Sequence, residues 1–177
     1  ITNGFGDNKN SYLLHFTSQK IEGFREHSAV ENNLFNFRSN HKLTDKTKLS
    51  LQLNHVSSPI AQDPGGLTLE EFQTKPLAAR TLNMSYNAGE RLTHSKVGVS
   101  IISQISAKTF LNTYGFYSGR DFDAFLPFEN GGVVDLNRAY GGQGSSLEHT
   151  SGDLKFQIGY DWASQNDHRQ RYENLKG

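Results

Sequence analysis

Leu49, Leu51 and Leu53 are separated by Ser50, Gln52 and Asn54, so apolar and polar side chains alternate with a period of two. Val97, Val99 and Ile101 repeat the arrangement farther along. Successive residues of a strand point to opposite faces, so this spacing predicts strands with one face turned to an apolar environment. The same period puts Tyr12, Leu14 and Phe16 on one face of residues 11–19, and Phe35 and Phe37 on one face of 29–38. Residues 107–117 form a further strand, and 133–148 carry only a weak apolar face. Leu154, Phe156, Ile158, Tyr160 and Trp162 give the cleanest alternation. Together with 47–55 and 92–102, the pattern predicts about seven crossing strands of roughly 9–12 residues, a length that crosses a bilayer at a tilt.

The connections between these strands are unequal. Tight turns are expected at 39–46, 103–106 and 149–153, and long polar loops at 20–28, 57–91, 118–132 and from 164 onward. Within the longest loop, Pro64-Gly65-Gly66 breaks the chain. Thr68 and Glu71 then fit a capping box, which predicts a helix of about two turns ending near Lys75-Pro76, the one helix expected in the chain. Leu82, Met84 and Tyr86 alternate up to a turn or bend at Asn87-Ala88-Gly89. Gly141, Gly142 and Gly144 fall in mid-strand, where glycine marks a bulge, a bend or a close approach. Short turns at one end and long loops at the other are a feature of outer-membrane barrels. A soluble sandwich shares the period with shorter strands and more even loops.

Composition changes this picture little. The formal net charge is zero, which gives no general attraction to nucleic acid or an acidic membrane. There is no cysteine, which removes disulfides and thiolate metal sites. No apolar run is long enough for a transmembrane helix. A hydrophobic fraction of 34% and a mean hydropathy of −0.63 suit a loop-rich soluble protein and equally a barrel, in which only alternate strand residues are apolar. Ile1 reads as the end of a strand before the turn-rich NGFGDNKN, with neither initiator methionine nor signal peptide, so residues 1–177 read as a piece of something larger.

The loop strings sharpen the reading. SPIAQDPGGLTLEEFQ followed by YNAGE resembles a segment of the TonB-dependent outer-membrane receptors, and so do GFREHS, GRDFDAFLPF with VVDLNRAYGG, and DHRQRYENLKG, all in the same order. The resemblance implies an all-β, antiparallel up-and-down meander forming part of a transmembrane β-barrel, over residues 1–177, with one short helix in a long loop. It implies a Gram-negative outer-membrane location and active import of a ferric siderophore or similar scarce ligand, energised through TonB. Partners would be the ligand, the receptor's own plug domain, TonB and membrane lipid. The plug, the TonB-contacting box and the C-terminal strands are not among these residues, which would form the early-to-middle third of a barrel. Such a piece has two open sheet edges, so its edges are expected to pair between copies or with further strands. The alternative is a soluble secreted β-sandwich binding module for a glycan or protein.

Arg25, Glu26 and His27 on a short loop, and Arg120, Asp121 and Asp123 on a long one, are the candidate ligand-binding residues. On the receptor reading they help bind or gate an anionic ferric chelate, because arginine pairs well with carboxylate-like groups. The plainer reading is a solvated loop with local Asp–Arg pairs. Asp121 and Asp123 lack the remaining ligands of a calcium loop. His15, His55, His94 and His168 show no metal-ligand spacing. No nucleophile elbow, HExxH or phosphate loop occurs, so neither catalysis nor a cofactor is expected.

Overall fold

The computed structural model describes residues 1–176; Gly177 lies outside them. Eight strands form one antiparallel sheet in the order of the chain: β1 (Thr2–Gly6), β2 (Asn10–Ile21), β3 (Val30–Lys42), β4 (Thr47–Gln62), β5 (Gly89–Ser106), β6 (Thr109–Phe125), β7 (Val133–Ser151) and β8 (Leu154–Tyr172). The sheet is not closed, and β1 and β8 are its edges. This is the up-and-down meander that the alternation predicts. No second layer packs on it among the described residues, so the two-layer sandwich is not formed.

The strands are longer than their apolar stripes. Strand β6 runs to Phe125 and β8 to Tyr172, so most of 118–132 and of the segment from 164 is paired strand and not loop. On β8 both faces of that stretch are mostly polar, and on β6 Phe122 and Phe125 fall on opposite faces, so the period-two signal is erased while the backbone ladder continues. The tight turn expected at 103–106 lies instead at 107–108, because β5 continues to Ser106, and the one expected at 149–153 shrinks to 152–153. Gly152, at φ 57, supplies the left-handed residue of the second turn. At the opposite end lie the long connections 22–29, 63–88 and 126–132.

Register keeps the two faces distinct. Leu49, Leu51 and Leu53 on β4 stand opposite Ile101, Val99 and Val97 on β5, while Ser50, Gln52 and Asn54 stand opposite Ser100, Gly98 and Lys96. The apolar face is uncovered: Ile158 is 74% exposed and Trp162 59%. The only buried apolar side chains among the described residues are Ala79, Ala88 and Val134, all at the loop end. Near that end β4 shifts register between Ser58 and Ala61, where Pro59, which lacks the N–H that a ladder needs, sits at the irregularity.

The mid-strand glycines of β7 make no bulge, since the pairing with β6 and β8 is continuous through them. Their role is close approach. The Tyr114 ring lies over Gly144, where a Cβ would meet its Cε1 at 2.6 Å, and the Tyr114 hydroxyl crosses the strand to donate to Asp161 Oδ1 at 2.5 Å. Phe116 covers Gly142 in the same way.

The predicted helix forms as α1 (Leu69–Thr74). Thr68 Oγ1 accepts from the Glu71 amide at 3.2 Å, and Glu71 Oε2 accepts from the Thr68 amide at 2.8 Å. These bonds hold the Glu71 carboxyl below its ordinary pKa. A second helix, α2 (Thr81–Ser85), replaces the extended alternation expected at Leu82, Met84 and Tyr86 and corrects the expectation of a single helix. Five residues are too few for periodicity to separate strand from helix.

Candidate functional site

The turn between β2 and β3 organises the loop between β4 and β5. Arg25 spends its guanidinium on that loop's backbone: Nε and Nη2 donate to Ala78 O at 3.2 and 2.8 Å, Nη1 to Gly65 O at 2.9 Å, and Nη2 to Pro64 O at 3.3 Å. Glu26 Oε2 accepts from the Ala79 amide, and the Glu26 amide donates to Leu77 O at 2.8 Å. His27 Nε2 lies 2.7 Å from Ala88 O, with His27 itself in the left-handed region at φ 52. The three candidates at 25–27 are therefore brought together, and their polar atoms are turned to the protein's own backbone.

Two buried asparagines complete the assembly. Asn83 Nδ2 donates to Asp63 O and Asp63 Oδ2, at 3.2 and 3.0 Å, from the first turn of α2. Asn174 Nδ2 donates to Tyr86 O at 2.9 Å and Leu126 O at 3.0 Å, tying the segment after β8 to two other loops. Buried carbonyls left without donors would cost about 1–3 kcal/mol each, so these side chains set the path of the loops.

Arg120, Asp121 and Asp123 lie on strand β6 and not on a loop, and the pleat sends them to opposite faces. Asp121 and Asp123 share the face of the apolar stripe, at its loop end; Asp121 accepts from Asn137 Nδ2, and Asp123 stands opposite Asp135. Among the described residues no group of three His, Asp or Glu is gathered closely enough to hold a metal. Arg120 is on the polar face, opposite His94 on β5 and opposite Arg138 on β7. Its guanidinium lies 5.2 Å from the centre of the Phe122 ring.

Around Arg120 the register gathers further basic residues on the same face. Lys96 is two residues from His94 on β5, and Arg169 and Arg171 are two and four residues from Asp167 on β8. Asp167 holds Arg138 in a two-point ion pair, with both N–O distances 2.7 Å. Arg120 makes no ion pair among the described residues, and its Nε, like His94 Nδ1, is buried without a hydrogen-bond partner. His94, Lys96, Arg138, Arg169 and Arg171 were not singled out by spacing, because they lie far apart in sequence and only the register aligns them. The alternation of Asp167, Arg169 and Arg171 with His168, Gln170 and Tyr172 was the one local signal. Below this patch an open groove of about 510 Å³ runs over the polar face beside Arg38, Gln52, Lys96 and Tyr114.

No family model matches the sequence. The fold does match solved structures. The chain is similar to the crystal structure of the ferric citrate transporter FecA in its unliganded form, with a TM-score of 0.79 at 18% identity over 96% of this chain. It spans 26% of that protein's length, and at this identity the likeness is one of fold: the sheet is built like a piece of that transporter's barrel wall.

Proposed function

We propose that the chain is a wall segment of an outer-membrane active-transport receptor that imports a ferric siderophore or a similar scarce ligand, energised through TonB. The observation that carries this reading is the apolar face, formed by the paired stripes of β4 and β5 and by the stripe of β8 at the far edge, uncovered among the described residues and backed by a polar face that holds an open groove. In water such a surface would be a large liability; in a bilayer it is the lipid-facing band of a barrel. Leu154 to Trp162 then span the hydrocarbon, with Tyr160 and Trp162 at the interface girdle, and the loop end with Arg25 and Arg120 faces outward. The polar face would line the lumen and meet the plug or water. Edges β1 and β8 would pair with further strands of a closed wall, since unpaired backbone groups in lipid cost several kcal/mol each. The role is transport and not chemistry. The collinear loop strings and the fold shared with a ferric citrate transporter support it.

The test is uptake by cells carrying the intact protein. Iron delivered as a chelate should enter only when the protein is present, and a protonophore should abolish entry. Recovery of the protein from cells without detergent, in a fraction free of membrane, would sink the reading.

A further inference from the structure

We infer that the loop-end part of the polar face of β5–β8 is a seat for a small polyanion, a solute with several carboxylate or phosphate oxygens, and that Arg120 and His94 are its principal contacts. The inference rests on the wall reading above and names the chemistry of what that wall receives.

The charge pattern is the first ground. On the polar face, from Lys96 toward the loops, these four strands carry Lys96, Arg120, Arg138, Arg169 and Arg171 with His94, against the carboxylates Glu90 and Asp167; Asp161 and Glu148 lie farther toward the tight turns. On the opposite face, the same stretch carries Asp121, Asp123 and Asp135 against Arg91 and His168. A general excess of surface charge would not sort by sign across a single sheet. The positive set faces inward, where an entering solute would pass.

Pairing is the second ground. Arg120 and Arg138 stand directly opposite one another, an arrangement of like charges that destabilises an unliganded sheet. Asp167 relieves Arg138, while Arg120 makes no ion pair among the described residues. Next to it, Arg120 Nε and His94 Nδ1 are buried and unpartnered on directly opposite residues. Groups of this kind are normally satisfied, so the Arg120 Nε–H marks a place where an acceptor belongs, and His94 Nδ1 can donate to the same acceptor in the form that carries its proton there. The guanidinium lies 5.2 Å from the centre of the Phe122 ring, and its fork of donors matches a carboxylate or phosphate edge.

Position is the third ground. His94 lies three residues beyond Val97, the last apolar side chain of its stripe on β5, and Arg120 three beyond Tyr117 on β6. At about 3.3 Å per residue this sets the seat roughly 10 Å along the strand toward the loops. It is reached from the loop end.

The experiment measures binding of citrate and of inorganic pyrophosphate to the intact protein in detergent by calorimetry. Saturable binding is expected for at least one probe, and which of them binds tells carboxylate from phosphate recognition. Arg120→Gln should weaken it at least tenfold. Asp167→Asn should tighten it several-fold by releasing Arg138, a gain that a merely structural role for the pair would not produce. Arg91→Gln, on the other face, should leave it unchanged. No saturable binding of either probe, no effect of Arg120→Gln in a folded variant, or weaker binding in Asp167→Asn would each overturn the inference. If uptake persists while neither probe binds, the seat is wrong and the transport reading stands; membrane-free protein that still binds the probes reverses the two.

Discussion

Along the middle of β4 and β5, Leu51 faces Val99 and Leu53 faces Val97 with no second layer over them, whereas at the loop end Ala79, Ala88 and Val134 are buried beneath a web of side-chain bonds to backbone carbonyls. One chain thus uses two kinds of stabilisation. The strand wall draws on its ladder and on whatever apolar medium meets its outer face. The loop end makes its own interior, with little apolar area and with Arg25, Asn83 and Asn174 as fasteners. If the wall sits in a bilayer as proposed, transfer to water should therefore affect it far more than the loops.

The largest effect expected from breaking this contrast is on the wall. Val99→Arg places a charge in the outward apolar stripe and should destabilise the lipid-embedded protein by about 2–4 kcal/mol, while Ser100→Arg, one residue on and facing the groove, should cost under about 1 kcal/mol. Denaturant titration of the protein folded into lipid vesicles reads both, and equal losses would contradict the assignment of faces. Arg25→Ala comes next. It should loosen the loop at 63–88 locally, by about 1–3 kcal/mol of opening free energy, and leave the strands untouched. Hydrogen exchange resolves the two regions, and a uniform change across strands and loop would show that they are one cooperative unit. The smallest effect concerns α1. Glu71 is depressed from its ordinary 4.5 by its bonds to Thr68, so its contribution is present above that value and is lost as the pH falls through the lower folded value. Protection of the α1 amides should be flat around neutrality and decline as the pH falls below the ordinary 4.5, and Glu71→Gln should flatten that decline.

Period two made the wall legible: Leu49 to Leu53 and Leu154 to Trp162 are strands because alternate residues meet different media. Beyond Trp162 both faces turn polar, and beyond Tyr117 Phe122 and Phe125 fall on opposite faces among charged residues, so the extensions to Phe125 and Tyr172 carried no such signature and read as loops. The capping box at Thr68 was legible because it is a local bond pattern. The helix at Thr81–Ser85 was not, since Arg80 gives it no side-chain cap and its fastening comes from Asp63, far back in the chain. Arg25 to His27 were marked by residue type as ligand candidates, and type alone does not say whether a guanidinium meets a solute or a carbonyl. For Arg120 the informative neighbours, His94 and Arg138, lie in other strands, and the register alone brings them alongside.

Arg25 holds Pro64, Gly65 and Ala78 through their main-chain oxygens, which every amino acid possesses. The route of the loop is thereby made independent of most of the letters written along it. Residues such as Leu69, Phe72 and Leu77, which point outward, can be exchanged by mutation while the path stays anchored. A lineage carrying this arginine can redraw the exposed side of the loop without rebuilding the frame that supports it.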